Sequence, residues 1–275
     1  MAAICRRHWL LLPCAGALAA GGCGWLPRAP VVPMPVLRSR FDAQRRADVL
    51  VVMLPGAYSL PREFIDQGFV ARLLEQGFAV DVAIADAHLG YVENGTLLER
   101  LRDDALANAL REGYRRIWLV GISLGGFASL GLLMRQPEAI EGVLTIAPYV
   151  GPPALLQQVA AAGGAAAFAA QPAGSDDLQA ELWVWLGRSG PALRDKIHLY
   201  TGSSDRLIAG QRLLEALLPS DHVVEVPGDH DWPVWNTLWS RWLTRAPWPR
   251  SASRALQGST LHRSGGRHGA FAGAT

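Results

Sequence analysis

Six short apolar runs, each parted from the next by a longer connecting segment, constrain residues 47–245 more than any other feature of the chain. The first, residues 48–54 (Asp-Val-Leu-Val-Val-Met-Leu), ends at Pro55-Gly56. An unbroken apolar run of that length suits a strand buried on both faces, because a strand with one wet face alternates. Residues 78–84, 117–122, 142–147, 196–200 and 222–226 read as five further strands. Several connections have helical period. Ile65, Phe69 and Leu73 recur four apart in a helix over 63–76 that Gly77 stops, and Thr96-Leu97-Leu98-Glu99 has the form of a capping box. That box opens a stripe of Leu97, Leu101, Ala105 and Ala109. Residues 124–135 and 211–218 are helices ended by Pro137 and Pro219, and Trp232, Trp235, Trp239 and Trp242 form one packing stripe of a last helix. Strands joined through helix-length connections predict an α/β fold, a mostly parallel sheet flanked by helices on both faces.

Two stretches break the alternation. Residues 151–190, after the fourth strand, are rich in Ala, Gly and Pro and read as a small, cap-like insertion, either loose helix or loop. Trp183 and Trp185 within it are candidates for core or for the wall of a substrate pocket. Residues 246–275 contain little to bury and are expected to be a disordered tail.

Charge excludes further classes. Arg6, Arg7, Arg250, Arg254, Arg263 and Arg267 all stand outside 23–245, in ends that carry no acid. Of 26 basic against 24 acidic residues, the body therefore keeps four more acids than bases. A mildly acidic body offers nucleic acid no footprint. The single lysine, Lys196, also leaves no phosphate-binding loop of the G-x-x-x-x-G-K kind.

The amino terminus reads as an address. Arg6 and Arg7, the apolar 9–12, and small residues up to Gly21-Gly22-Cys23 follow the order of an export signal. Its end resembles a bacterial lipoprotein signal, in which a Cys after small residues receives lipid, although Ala20 stands where that pattern favours Leu. The resemblance implies cleavage before Cys23, lipid on Cys23, and, with Gly24 next, the outer membrane. All three cysteines, Cys5, Cys14 and Cys23, lie in this region, so cleavage leaves one thiol and no intramolecular disulfide. Cleavage after Ala19 with release, or an uncleaved anchor, are the alternatives. Residues 1–22 are thus read as signal and 23–46, with Pro27, Pro30, Pro33 and Pro35, as an extended tether.

The chemistry starts at Gly121-Ile122-Ser123-Leu124-Gly125. A G-x-S-x-G alone is weak, but this one follows a buried strand and opens an apolar helix, the strand–turn–helix setting the motif requires. Small residues at Gly121 and Gly125 let strand and helix close on a sharp turn with Ser123 at its tip. A hydroxyl is a poor nucleophile unless a base and an orienting acid accompany it. Asp205 follows the fifth strand and His230 follows the sixth, each on a loop at the carboxyl edge.

With Ser123, Asp205 and His230 in that order, residues 47–245 resemble the α/β-hydrolase superfamily in a compact serine-esterase or lipase-like form. The resemblance implies Ser123 as nucleophile, His230 as base and then acid, and Asp205 as the carboxylate behind the imidazole. It also implies an oxyanion hole from the N–H of Leu124 and one from the loop after the first strand. The family often has His-Gly there; Pro55-Gly56 stands in its place, which makes Ala57 the matching donor and Tyr58 the fallback.

No metal-ligand spacing and no cofactor motif is expected. Ser123 occupies the position where a dinucleotide fingerprint needs glycine, and Asp229-His230-Asp231 is too short a run to wrap an ion. Asp231 is read instead as the start of the Trp helix. The expected function is a serine hydrolase of carboxylic esters or related acyl bonds, small-molecule or lipid-like, held at the cell envelope. An acyltransferase on the same residues, or a non-catalytic lipoprotein with the same shell, are the rival readings.

Overall fold

The computed structural model describes residues 28–171 and 177–251. Seven strands form one sheet: β1 (Val36–Ser39), β2 (Val49–Leu54), β3 (Val80–Ala85), β4 (Arg116–Ile122), β5 (Gly142–Ile146), β6 (Ile197–Gly202) and β7 (Val223–Val226). Their order is β1-β3-β2-β4-β5-β6-β7, and every pairing is parallel except β1 on β3. Between them run α1 (Glu63–Asp66), α2 (Phe69–Glu75), α3 (Leu89–Glu93), α4 (Leu97–Arg100), α5 (Ala107–Arg111), α6 (Leu124–Arg135), α7 (Pro153–Ala161), α8 (Ala165–Ala169), α9 (Leu178–Arg188), α10 (Pro191–Arg194), α11 (Ile208–Glu215) and α12 (Trp232–Leu243). A π-helical stretch, Leu101–Leu106, joins α4 to α5.

Alternation along β2 divides the core. Leu50, Val52 and Leu54 face a layer containing Leu101, Phe127, Leu130, Leu182 and Leu214, from α6, α9, α11 and the α4–α5 region. Val49, Val51 and Met53 face Phe69, Leu73, Leu238, Trp239 and Trp242, from α2 and α12. All six β2 residues are buried, as a central strand with two covered faces requires.

The tryptophans of α12 are the packing stripe the sequence implied: Trp235, Trp239 and Trp242 are buried, and Trp239 stacks on Phe69 at 5.0 Å. Asp231 caps this helix, accepting from the N–H of Val234 at 3.2 Å.

Several expectations are corrected. The 63–76 helix is two, broken where Gly68 takes φ 77°. The break rotates the apolar register, so Phe64 is buried and Ile65 is exposed. Thr96 makes no capping bond to its helix; its hydroxyl donates to Asn94 Oδ1 at 2.6 Å instead. The stretch expected to be tether is, over 28–46, part of the domain. β1 closes the sheet edge, Met34 is buried, and the Met34 N–H donates to Asp104 at 2.8 Å. The expected tail also begins later than 246. Trp248 is buried against Phe78, and Ala79 donates to the carbonyl of Pro249 at 2.8 Å. Residues 1–27, with Cys23, and 252–275 lie outside the described residues.

Over its described residues the insertion is mainly helical, with α9 packed on α6 and α7 on α11. Trp183 belongs to the core, its indole N–H donating to the Val150 carbonyl at 2.7 Å, and Trp185 packs half-buried against that core. With α9 outside it, α6 has ten buried residues from Leu124 to Leu133, which explains why it is apolar on all sides.

Candidate functional site

Ser123 stands between β4 and α6 at φ 54° and ψ −113°, a conformation side chains adopt at a cost of about 1–3 kcal/mol. Such a posture survives only where the surroundings fix it. The Ser123 N–H donates to the Ile146 carbonyl at 3.0 Å, and its carbonyl accepts from Tyr149 at 3.0 Å, so the turn is tied to the end of β5. The two motif glycines are sterically obligatory. A Cβ on Gly121 would collide with the carbonyl of Gly125, and one on Gly125 with the carbonyl of Leu54.

Three residues far apart in sequence meet here. His230 Nε2 lies 3.0 Å from Ser123 Oγ, and His230 Nδ1 lies 2.8 Å from Asp205 Oδ2. The Asp205 residue is 1 % exposed. Its second oxygen accepts from the Leu207 N–H at 2.7 Å, so neither oxygen is free to turn away. A buried carboxylate requires such partners. The two loops that carry Asp205 and His230 are bonded to each other. Ser203 donates to the Val226 carbonyl and Ser204 to the Gly228 carbonyl, both at 2.9 Å. Trp235 stands edge-on to the His230 ring at 5.1 Å and walls its flank.

The two segments that carry the oxyanion candidates both adjoin Ser123. Leu124 is the first residue of α6, so its N–H has no intrahelical acceptor. The loop after β2 lies against the serine: the Cα of Gly56 is close enough that a Cβ there would sit 3.6 Å from Ser123 Cβ. Ala57 follows, half-buried, with its carbonyl accepting from Leu89 at 3.3 Å, whereas Tyr58 is largely exposed.

Sequence reading missed the supports behind these groups. Gly202 allows the acid loop to lie on the backbone of Gly228, and Ala147, at φ 50°, turns the chain after β5 beside Ser123. Tyr149 carries this contact outward, with its hydroxyl 2.9 Å from Gln179 on α9. Only a Gly or small residue after each strand hinted at them. The other buried histidine of this region, His88, caps α3 by accepting from Gly90 at 3.2 Å. Burial and the neighbouring Arg28 hold its pKa below the ordinary imidazole value.

A cavity of about 400 Å³ opens between α3–α4, α6 and α9, lined by Tyr91, Leu97, Leu98, Phe127 and Leu178. One of about 740 Å³ beside His198, His222 and Trp242 shares no residue with the Ser123 group. Among the described residues no set of three or more His, Cys, Asp or Glu side chains is arranged to hold a metal ion.

No protein-family model matches the sequence, and no curated protein matches it. Solved structures do match by shape. A ferulic acid esterase superposes at TM-score 0.52 with 13 % identity, over 76 % of this chain and 96 % of that one. An S-formylglutathione hydrolase from Staphylococcus aureus gives 0.52 and 13 %, over 80 % and 98 %. A membrane phospholipase A described as a bacterial virulence factor gives 0.50 and 18 %, over 77 % and 81 %. At these identities the likeness concerns the fold, which is the α/β-hydrolase fold.

Proposed function

We propose that the protein is a serine hydrolase that cleaves a carboxylic ester or related acyl bond through an acyl-enzyme. The observation that carries this reading is the continuous hydrogen-bonded line from Ser123 Oγ through both nitrogens of His230 to the buried Asp205. The names of the structural neighbours, an esterase and hydrolases among them, agree with it.

In this mechanism Ser123 Oγ attacks the substrate carbonyl while His230 Nε2 takes its proton. Asp205 keeps the Nδ1 proton of the ring and balances the charge of the imidazolium that forms. The oxyanion rests on the N–H groups of Leu124 and Ala57. His230 then returns the proton to the leaving alcohol, and an acyl group remains on Ser123. Water, deprotonated by the same nitrogen, releases the acid and restores the hydroxyl. At the amino terminus, Cys23 is proposed as the site of a lipid that holds the enzyme at the cell envelope.

A fluorophosphonate probe tests the chemistry. Wild type is expected to label, Ser123→Ala is not, and kcat on nitrophenyl esters should fall at least ~10³-fold in that variant. Absent labelling of wild type, or equal labelling of both, refutes the hydrolase. For the anchor, Cys23→Ser should move the chain from the membrane to the soluble fraction, and unchanged partition refutes lipidation.

A further inference from the structure

The chain enters the fold at the rim that carries Ser123. Because β1 is antiparallel, its first residue, Val36, pairs with Ala85 at the end of β3, and the Asp86 N–H donates to the Pro35 carbonyl at 2.8 Å. Residues 28–35 therefore cross the carboxyl edge of the sheet, where the loops after β2 and β4 hold Gly56 and Ser123.

That crossing is tied down. Arg28 makes two 2.8 Å bonds to Asp86, and its guanidinium reaches the Ser59 carbonyl at 3.4 Å. Ser59 in turn donates to the Gly56 carbonyl at 3.1 Å, beside Ser123. Val31 exchanges bonds with the Tyr91 hydroxyl, 3.0 Å from its N–H and 2.7 Å from its carbonyl. A Cβ on Gly90 would strike the Arg28 carbonyl, so the strap lies flush on α3.

The same rim is unusually apolar. Seven large apolar residues are exposed among the described ones, and five of them, Val31, Val32, Tyr58, Leu60 and Ile65, fall on this strap, the loop after β2 and the short α1 that follows it. They are 47–68 % exposed. Single exposed apolar residues need no explanation; their gathering at one rim does.

From these observations we infer that the Ser123 rim rests on a phospholipid bilayer, with Val31, Val32, Leu60 and Ile65 dipping into its interface. The inference rests on the anchored reading above for its occupant. Arg28 is five residue steps from Cys23, a covalent reach of at most about 18 Å. A lipid on Cys23 therefore holds this edge within that distance of the membrane, whereas the opposite edge would face away. Apolar side chains at the interface add to what one lipid chain supplies only marginally. The substrate such a site meets first is an acyl ester carried in the bilayer.

Fluorescence quenching tests this on the full, processed chain in vesicles of phosphatidylethanolamine and phosphatidylglycerol doped with a nitroxide-labelled phospholipid. Bimane is placed on Val32→Cys or Leu60→Cys, and for comparison on Glu138→Cys or Ser220→Cys, exposed positions before β5 and β7 at the opposite edge. Quenching at 32 and 60 is expected to exceed that at 138 and 220 at least about threefold. Equal quenching at both edges of a membrane-bound chain overturns the orientation and leaves the anchor standing. A chain that never partitions into the vesicles overturns both. The same labels in the Ser123→Ala background should behave alike, so the result does not depend on whether the chain is a hydrolase.

Discussion

His230 Nδ1 and Asp205 Oδ2 are 2.8 Å apart, although 25 residues and β7 separate them in the chain. What brings them together is the parallel pairing of β6 with β7, which delivers both following loops to one edge of the sheet. The Leu207 N–H fixes the second oxygen of Asp205, so the carboxylate can present only Oδ2 to the ring.

Replacing that carboxylate by its amide tests the relationship. Asp205→Asn keeps the shape but offers the ring an NH₂ or a weaker acceptor, which favours the tautomer with no free lone pair toward Ser123. The expected fall in kcat on nitrophenyl esters is about 10³–10⁴-fold, with KM changed little. A loss under tenfold would show that Asp205 does not orient the base.

Steric closure at the serine turn predicts a folding defect. In Gly125→Ala the new methyl must displace the Leu54 carbonyl, and with it the loop that lies on Ser123. Overpacking of this kind costs about 1–3 kcal/mol, a fall in Tm of roughly 3–10 °C for a chain of this size. Thermal unfolding followed by circular dichroism measures it, and an unchanged Tm would contradict the packing described.

Acid sensitivity should come in part from His198. Burial, and secondarily the imidazole of His222, lower its pKa from 6.5 to about 4. Its ring stacks on His222 at 4.0 Å and on Trp118 at 5.9 Å. The folded state thus resists a proton that the unfolded chain accepts. The contribution is complete above pH 6.5 and is lost as pH falls from 6.5 toward 4, by up to about 3 kcal/mol. Urea unfolding at pH 7 and pH 5 should show a smaller loss in His198→Phe than in wild type; parallel losses would exclude this group.

Asp81 predicts a local effect. This buried carboxylate accepts from the N–H groups of Phe41 and Ala47, at 2.9 and 3.0 Å, and from the Tyr114 hydroxyl at 2.6 Å. Burial and this bond drive the Tyr114 pKa upward, so the phenol stays a donor. In Asp81→Leu three donors are left unsatisfied, each costing about 1–3 kcal/mol. Hydrogen exchange at 41 and 47 should accelerate at least tenfold more than exchange in β5, and uniform acceleration would point to general destabilisation instead.

The strands with two covered faces were readable because burial on both sides favours an unbroken apolar run, as in β2. The serine turn was readable because only glycine fits at 121 and 125. Where reading failed, the deciding contact came from a distant segment. Val36–Ser39 has no pattern of its own as a strand, and it becomes one because β3 offers an open edge. Trp183 could not be assigned to core or pocket without Val150, whose carbonyl takes its N–H. Ile65 fits a helical stripe on paper, but the turn at Gly68 swings it to solvent.

The amino-acid order by itself determined the layered α/β architecture and the sharp turn at Ser123, because periodicity and local turn sterics are properties of neighbouring residues. The tertiary structure alone decided that imidazole, hydroxyl and carboxylate stand within hydrogen-bond distance and that the strap from Arg28 crosses the same rim. Those are distances between residues remote along the chain, set by sheet order and loop packing, and no local pattern encodes them.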